Sequence, residues 1–343
     1  MNIGVLTGGG DCPGLNAAVR GITRAASLKG WTVTGIRDGW RGTIERETFP
    51  LTIENTDGIL DVGGTILGSS RTNPLRTPES YTQAQSVFDE MGLDALIAIG
   101  GDDTLSVAAA LASDGHPIVG IPKTIDNDVP KTDACIGFDT AVETIASSVA
   151  HLRTTTMSHH RVTLVETMGR EAGWLAALGG LASGSDFIGV PEKQLNIEDV
   201  IGHVHQRYDS GTNFSIVVIA EGTEVAGLDL KNAAVQASDE FGHVILSTRS
   251  IAEVVAHKIE KVTGKESRAC VLGHLQRGGT PTTFDRVLGT RFGFAAIDFL
   301  AKNKHGQMTA LVGLDIKPIP LVEIGGKSRT LDESYLKLLP PFA

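Results

Sequence analysis

Four acidic residues fall in two short stretches of this chain, each behind an apolar run. "IGGDDT" (99–104) puts Asp102 and Asp103 directly after paired glycines. "PKTIDNDVP" (122–130) puts Asp126 and Asp128 two residues apart, behind Lys123 and Thr124. Paired glycines let backbone N–H groups face an anion, while carboxylates hold hard cations or accept protons. The combination points to phosphoryl chemistry, which needs positioning and charge neutralisation more than covalent steps. Asp126 suits proton acceptance from an attacking hydroxyl. Asp102 and Asp128 suit a shared Mg²⁺ that bridges phosphate oxygens. Taken alone, the second stretch also reads as a solvated turn, because Asn, Asp and Pro are turn formers.

Two more glycine clusters, "TGGGDCPG" (7–14) and "GGTILGSSR" (63–71), add backbone donors. Where such a loop leads into a helix, the helix N-terminus favours phosphate. No cluster is followed by G-K-[ST], and a G-x-G-x-x-G frame begun at Gly8 ends on Pro13, so a dinucleotide fold is disfavoured. The second half supplies cations. "VETMGRE" (165–171) carries Met168, Gly169 and Arg170, "AEGTE" (220–224) carries Glu221, and "SRACVLGHLQRGG" (267–279) carries Arg268, His274 and Arg277. Singly, each Arg reads as a surface residue and His274 as structural. As a set they suit a sugar phosphate, with Arg for phosphate oxygens and Glu for hydroxyls. His159 and His160 are adjacent, lack metal spacing and read as structural.

These groups need a frame. Apolar runs at 3–6, 31–36, 95–99, 117–121, 161–166, 187–190, 214–220 and 269–273 read as buried strands. Helical spacing separates them, at 14–28, at 284–301 and in the stripes Val142, Ile145, Val149, Leu152 and Ile251, Val254, Val255, Ile259, Val262. The alternation implies right-handed βαβ units: an α/β chain of mostly parallel sheets flanked by helices. The strands are too many for one compact sheet, so two lobes are expected. Ligands then belong at the strand C-terminal ends, which puts "GGDDT" and "PKTIDNDVP" on one rim.

Composition narrows the class. The 343 residues are 41% hydrophobic and 20% charged, as in ordinary globular proteins. A net charge of −10 argues against a nucleic-acid surface. The start, "MNIGVLTGGGDCPG", has no signal-peptide pattern, and no run approaches the ~20 apolar residues of a membrane span. Cys12, Cys135 and Cys270 form no disulfide framework and read as reduced thiols of a cytoplasmic protein. A nicotinamide-dependent oxidoreductase is disfavoured by the failed glycine frame. A non-catalytic binding subunit is disfavoured because Asp102, Asp126 and Asp128 are all present.

In order along the chain, "GVLTGGGDCPGLNAAVRG", "GGTILGSSR", "GGDDT", "PKTIDND", "VETMGREAG" and "GHLQRGGTPTTFDR" resemble the 6-phosphofructokinase family up to about residue 300. The resemblance implies a two-lobed subunit whose chain crosses between lobes more than once. Residues 1–138 with about 250–302 would form the phosphoryl-donor lobe, and 139–249 with about 303–343 the sugar-phosphate lobe. It implies transfer of a phosphoryl group to the 1-hydroxyl of fructose 6-phosphate, giving fructose 1,6-bisphosphate. Position by position, Asp126 is the general base, Thr124 and Arg170 steady the transferring group, and Asp102 contacts Mg²⁺. Gly9, Gly10, Arg71, Asp103, Thr104 and Lys123 belong to the donor site. Met168, Gly169, Glu221, His274 and Arg277 hold the sugar phosphate. Arg161 and Arg268 match arginines that reach it across a subunit interface in short bacterial members, which implies a homodimer or homotetramer. Arg153 matches an effector-site arginine.

Within that family, Asp103 bears on the donor. Members that use ATP usually have glycine there, leaving room for the nucleotide's α-phosphate. Members that use pyrophosphate have Asp, and Lys before "TIDND", as here. A carboxylate at that place adds bulk and repulsion worth several kcal/mol at short range. Lys123 adds a point charge for a small donor, and Val107 leaves less room for a nucleoside. The expected reaction is therefore transfer from pyrophosphate, reversible because donor and product lie close in energy, with ATP as the alternative. The segment beyond residue 320 suggests no function.

Overall fold

The apolar runs fold as strands covered on both faces, as their lack of polar alternation requires. The computed structural model describes residues 1–228 and 250–340, with the backbone of 237–238 and 244–245. Two units result, Met1–Thr140 with Arg277–Lys327, and Ala141–Gln276 with Ser328–Ala343. In chain order come β1 (Asn2–Thr7), α1 (Leu15–Ser27), β2 (Thr32–Ile36), α2 (Trp40–Glu45), β3 (Thr48–Leu51), α3 (Pro78–Gln85), α4 (Val87–Glu90), β4 (Ala95–Gly100), α5 (Asp102–Ser113), β5 (Ile118–Pro122) and α6 (Phe138–Ser158). Next are β6 (Val162–Thr167), α7 (Trp174–Ala182), β7 (Phe187–Gly189), β8 (Leu195–Asn196), α8 (Ile197–Asp209), β9 (Ser215–Ala220), β10 (Val225–Ala226), β11 (Ala237–Ser238), β12 (Val244–Ile245), α9 (Ile251–Thr263) and β13 (Ser267–Val271). The last elements are α10 (Thr283–Ala301), β14 (Gln307–Val312), β15 (Asp315–Pro320) and α11 (Glu333–Leu336).

The first unit is built on a seven-stranded sheet in the order β15-β14-β5-β4-β1-β2-β3. Its five inner strands are parallel, and the edge strands β3 and β15 are antiparallel. Neither edge strand was expected from the sequence, nor was β14 inside the sheet. Both contain prolines, Pro50 in β3 and Pro318 with Pro320 in β15, which cannot donate to a ladder and so are confined to edges. From β1 the chain moves to β2 on one side, while β4 lies on the other. The boundary between β1 and β4 is thus a topological switch point, where a crevice opens beyond the strand ends. Leu6, Ile36, Trp40, Leu96, Leu105 and Met308 belong to the buried core. Helices α1 and α10 pack closely, for a Cβ on Gly293 would stand 2.7 Å from the carbonyl oxygen of Ala18.

The second unit carries a parallel sheet, β13-β6-β9-β7. Val162, Leu164, Val200, Val217, Val255 and Ile259 belong to its core. The expected lobe boundaries need correction. Residues 250–276 belong to this unit, because β13 pairs with β6. Residues 303–327 belong to the first, because β14 pairs with β5. Of the expected second lobe, 229–236, 239–243, 246–249 and 341–343 lie outside the described residues. Among the described residues, no helix is long and apolar enough to cross a membrane.

Candidate functional site

In the first unit, the glycine loops meet at the switch point. Gly8 N–H donates to Ile99 O at 2.9 Å, joining the end of β1 to that of β4. Thr104, 3% exposed, fills the space between two glycines, since a Cβ on Gly8 or on Gly100 would stand 2.5 Å from its Oγ1. The loop 63–71 is laced to the same strand end. Thr7 Oγ1 donates to Gly68 O at 2.7 Å, Gly9 N–H donates to Ser70 O at 3.1 Å, and Ser69 Oγ donates to Gly9 O. Gly9, Gly10, Asp11, Thr65, Gly68, Ser69, Ser70 and Arg71 line a cavity of about 460 Å³. Arg277 packs against Gly10 and donates from Nη1 to Asp11 O at 3.3 Å.

The acidic stretches sit on the same rim. Gly100 pairs with Pro122, and Lys123 N–H donates to Gly100 O at 2.9 Å. Asp102 and Asp103 are not loop residues, as the sequence suggested, but the first turn of α5. There the unsatisfied N–H groups and the positive end of the helix dipole stabilise carboxylates by roughly 0.3–1 kcal/mol. The turn after β5 is fixed from within. Asp126 N–H donates to Thr124 Oγ1 at 3.1 Å. Asn127 takes a left-handed conformation, φ 52°, while its buried side chain accepts from Cys135 N–H at 2.9 Å and donates to Asp133 O at 3.3 Å. Asp126 and Asp128 flank it, each half-buried.

Lys123, expected to supply a point charge for the donor, is held among the glycine loops. It is 2% exposed and donates from Nζ to Gly8 O at 2.8 Å and to Gly10 O. Burial lowers its pKa. Val107 differs from expectation, being wholly buried in the core behind α5 and lining no part of the cavity.

In the second unit, Met168, Gly169 and Arg170 follow β6 and Glu221 follows β9. The two loops meet, with Arg170 Nε paired to Glu221 Oε1 at 3.3 Å and Gly222 N–H donating to Gly169 O at 3.0 Å. Met168 N–H donates to Gln276 Oε1 at 3.3 Å, which brings the segment after β13 to the same rim. His274 lies in that segment, exposed. Arg161 and Arg268 lie at the opposite ends of β6 and β13, where Val162 pairs with Ser267. Glu266 holds both, Arg161 at 2.9 Å and Arg268 at 2.5 Å. The six residues of β6 separate this pair from Met168, about 20 Å at strand rise. Arg153 donates to Ser183 O at 2.7 Å and Gly184 O at 2.8 Å, where it caps the end of α7.

Gln276, Asn127, Ser69 and Glu166 were not singled out in the sequence. Each lies inside a stretch quoted above, and its residue type alone signals no role there. Glu166 is buried and accepts from Ala252 N–H at 2.9 Å at the start of α9, and burial raises its pKa.

Among the described residues, no three His, Cys, Asp or Glu side chains gather closely enough to hold a metal. Mg²⁺ does not require such a cage, because it keeps several waters and takes one or two carboxylates plus phosphate oxygens. Asp102, at the start of α5, and Asp128, in the turn after β5, are hard oxygen donors of the kind it takes.

A phosphofructokinase family profile matches residues 2–300. A pyrophosphate–fructose 6-phosphate 1-phosphotransferase of Streptomyces coelicolor is 48% identical over 97% of this chain and 96% of its own length. An ATP-dependent 6-phosphofructokinase of the same organism is 44% identical over 97% of each. The crystal structure of a pyrophosphate-dependent phosphofructokinase from Nitrosospira multiformis superposes with a TM-score of 0.84, at 20% identity, over 100% of this chain and 94% of that one, and shows the shared fold.

Proposed function

The chain belongs to the phosphofructokinase family, and from that premise we propose that it moves a phosphoryl group from pyrophosphate to the 1-hydroxyl of fructose 6-phosphate. The products are fructose 1,6-bisphosphate and phosphate. The reading is carried by Asp102 and Asp103 at the opening of α5, on the rim where the glycine loops meet. Asp103 fills and charges the place a nucleotide's α-phosphate would need, and pyrophosphate stops short of it. The higher identity to a pyrophosphate-using relative than to an ATP-using one from the same organism supports the same donor.

In this reading the donor lies against Gly9, Gly10 and Arg71, and Thr104 and Lys123 hold the loops that shape its site. As the 1-hydroxyl oxygen attacks the terminal phosphorus, its proton passes to the Asp126 carboxylate and the P–O bond to the leaving phosphate breaks. An ordinary carboxylate suffices, since the proton leaves only as the new bond forms. Thr124 and Arg170 steady the transferring group. Mg²⁺, held by Asp102 and Asp128, would neutralise charge on the donor phosphates. Met168, Gly169, Glu221 and His274 take the sugar phosphate. The packing of Arg277 on Gly10 favours a place for it beside the donor loop.

Arg161 and Arg268 lie about one strand length from Met168 within their unit, ~20 Å. That separation supports a homodimer or homotetramer in which they complete a neighbour's sugar-phosphate site. The reduced state of the three cysteines supports a cytoplasmic location. The reading is tested by following phosphorus resonances in a mixture of fructose 6-phosphate, Mg²⁺ and pyrophosphate. Fructose 1,6-bisphosphate and phosphate should appear together, and the reverse reaction should run from the products. ATP as donor is the second reading, favoured by the 44%-identical ATP-using relative.

A further inference from the structure

The family profile ends at residue 300, yet the second unit is closed by a segment well beyond it. Trp174, the first residue of α7, is 2% exposed and donates from Nε1 to Arg329 O at 2.9 Å. The Arg329 guanidinium lies over the indole, 4.3 Å from its centre, and Tyr335 meets the same ring edge-on at 4.9 Å. Glu192 ties the segment a second time. Its Oε1 accepts from Gly173 N–H and from Leu331 N–H, each at 2.9 Å. Leu331 is 5% exposed.

What these contacts hold is the far end of the Met168–Gly173 loop. The near end is already fixed, because Gly222 N–H donates to Gly169 O at 3.0 Å and any Cβ at Gly222 would stand 2.0 Å from Arg170 O. Glycines at 169 and 173 leave the loop little rigidity of its own, with Gly169 at φ 122°. Its shape therefore depends on anchors at both ends. A buried indole with a satisfied N–H and a carboxylate bridging two backbone donors are costly to arrange and rigid once made.

We propose that Arg329–Tyr335 is a positioning strap for the sugar-phosphate site, acting through Trp174 and Glu192 on Met168 and Gly169. The strap deepens the reading given above and rests on its assignment of that loop to fructose 6-phosphate. Trp174, Glu192 and Arg329 are positioning residues, not ligands.

The test uses the full chain with Trp174→Phe, Glu192→Ala, Arg329→Ala and Arg329→Lys, beside Glu221→Ala as a control for the site itself. For Trp174→Phe and Glu192→Ala, the KM for fructose 6-phosphate should rise about five-fold, the size of one lost hydrogen bond, and for Arg329→Ala, which loses the cation over the ring, by about the same factor. The KM for pyrophosphate should stay within about two-fold, and amide exchange over 168–176 should quicken. Arg329→Lys, which keeps a cation over the ring, should recover much of the effect. If Glu221→Ala raises the fructose 6-phosphate KM and the strap variants do not, the strap proposal is overturned and the site stands. If neither does, both fall. Lower yield or turnover with both KM values unchanged would mean a purely structural tail, and would also overturn the proposal.

Discussion

The Nζ of Lys123 donates to the carbonyl oxygen of Gly8 across 2.8 Å, and so binds the end of β5 to the loop after β1. Its second bond, to Gly10 O, closes the same loop from inside. A buried ammonium is costly, and burial lowers its pKa, so the two carbonyls partly offset its lost hydration. Lys123→Met should release the loop and remove charge behind the donor. The KM for pyrophosphate should rise ~10- to 100-fold, as for lost charge-assisted hydrogen bonds, with that for fructose 6-phosphate nearly constant. Steady-state kinetics with each substrate varied in turn checks this.

Asp126→Ser should leave fructose 6-phosphate binding largely intact and lower kcat by ~10²–10⁴, the usual worth of a positioned general base. Titration calorimetry with the sugar phosphate, alongside turnover, separates the two quantities. A near-normal kcat would remove Asp126 from the role assigned to it.

Gly8→Ala should be poorly tolerated, because the new methyl would press on Thr104 Oγ1 at 2.5 Å and Cγ2 at 3.0 Å. Overpacking of this kind costs about 1–3 kcal/mol. Adding Thr104→Ala removes both atoms, so the double variant should be more stable than Gly8→Ala alone. Denaturation midpoints of the unaltered chain, both single variants and the double variant test the coupling.

Asp285 gives a pH dependence with a definite sign. It is wholly buried near the starts of α6 and α10, accepting from Gly137 N–H and Thr140 N–H at 2.9 Å each and from Thr140 Oγ1 at 2.6 Å. Burial raises its pKa from 3.8 to about 6 in spite of these bonds, and neighbouring Asp139 adds to the rise. Between those values the folded chain binds a proton that the unfolded chain releases. Its contribution is therefore full below pH 3.8 and lost as pH rises through about 6, a change of about 3 kcal/mol. Asp285→Asn should flatten this part of the profile. The unaltered chain's melting temperature should fall relative to that of Asp285→Asn between pH 4 and 7.5, and a gap that does not change with pH would mean that Asp285 is not the group responsible.

Much of this was written in the chain. Strands read from apolar runs formed within a residue or two of their expected ends, because buried parallel strands leave continuous Val, Ile and Leu. The edge strands β3 and β15 escaped, since prolines break the strand signal that their neighbours complete in space, and the inner strand β14 escaped because Gln307 and Thr309 interrupt its apolar run. Asp102 and Asp103 read as loop because glycines precede them, whereas the helix begins at once, with Gly101 as its cap. Lys123 and Thr104 were legible as residues of the donor region but not as its internal struts. Their burial comes from partners a hundred residues away. The strap at Arg329–Tyr335 left no motif at all, because its partner Trp174 is ordinary helix sequence until the fold brings the two together.

The account turns on Asp103. Asp103→Gly should improve kcat/KM for ATP by removing bulk and a repulsion worth several kcal/mol at short range. The most direct measurement is on the unaltered protein: fructose 1,6-bisphosphate formation from fructose 6-phosphate and Mg²⁺, with pyrophosphate or ATP as sole donor. Turnover with pyrophosphate and little or none with ATP is the predicted result. Turnover with ATP alone would contradict it, for α5 would then open beside a nucleotide's α-phosphate with Asp103 in place.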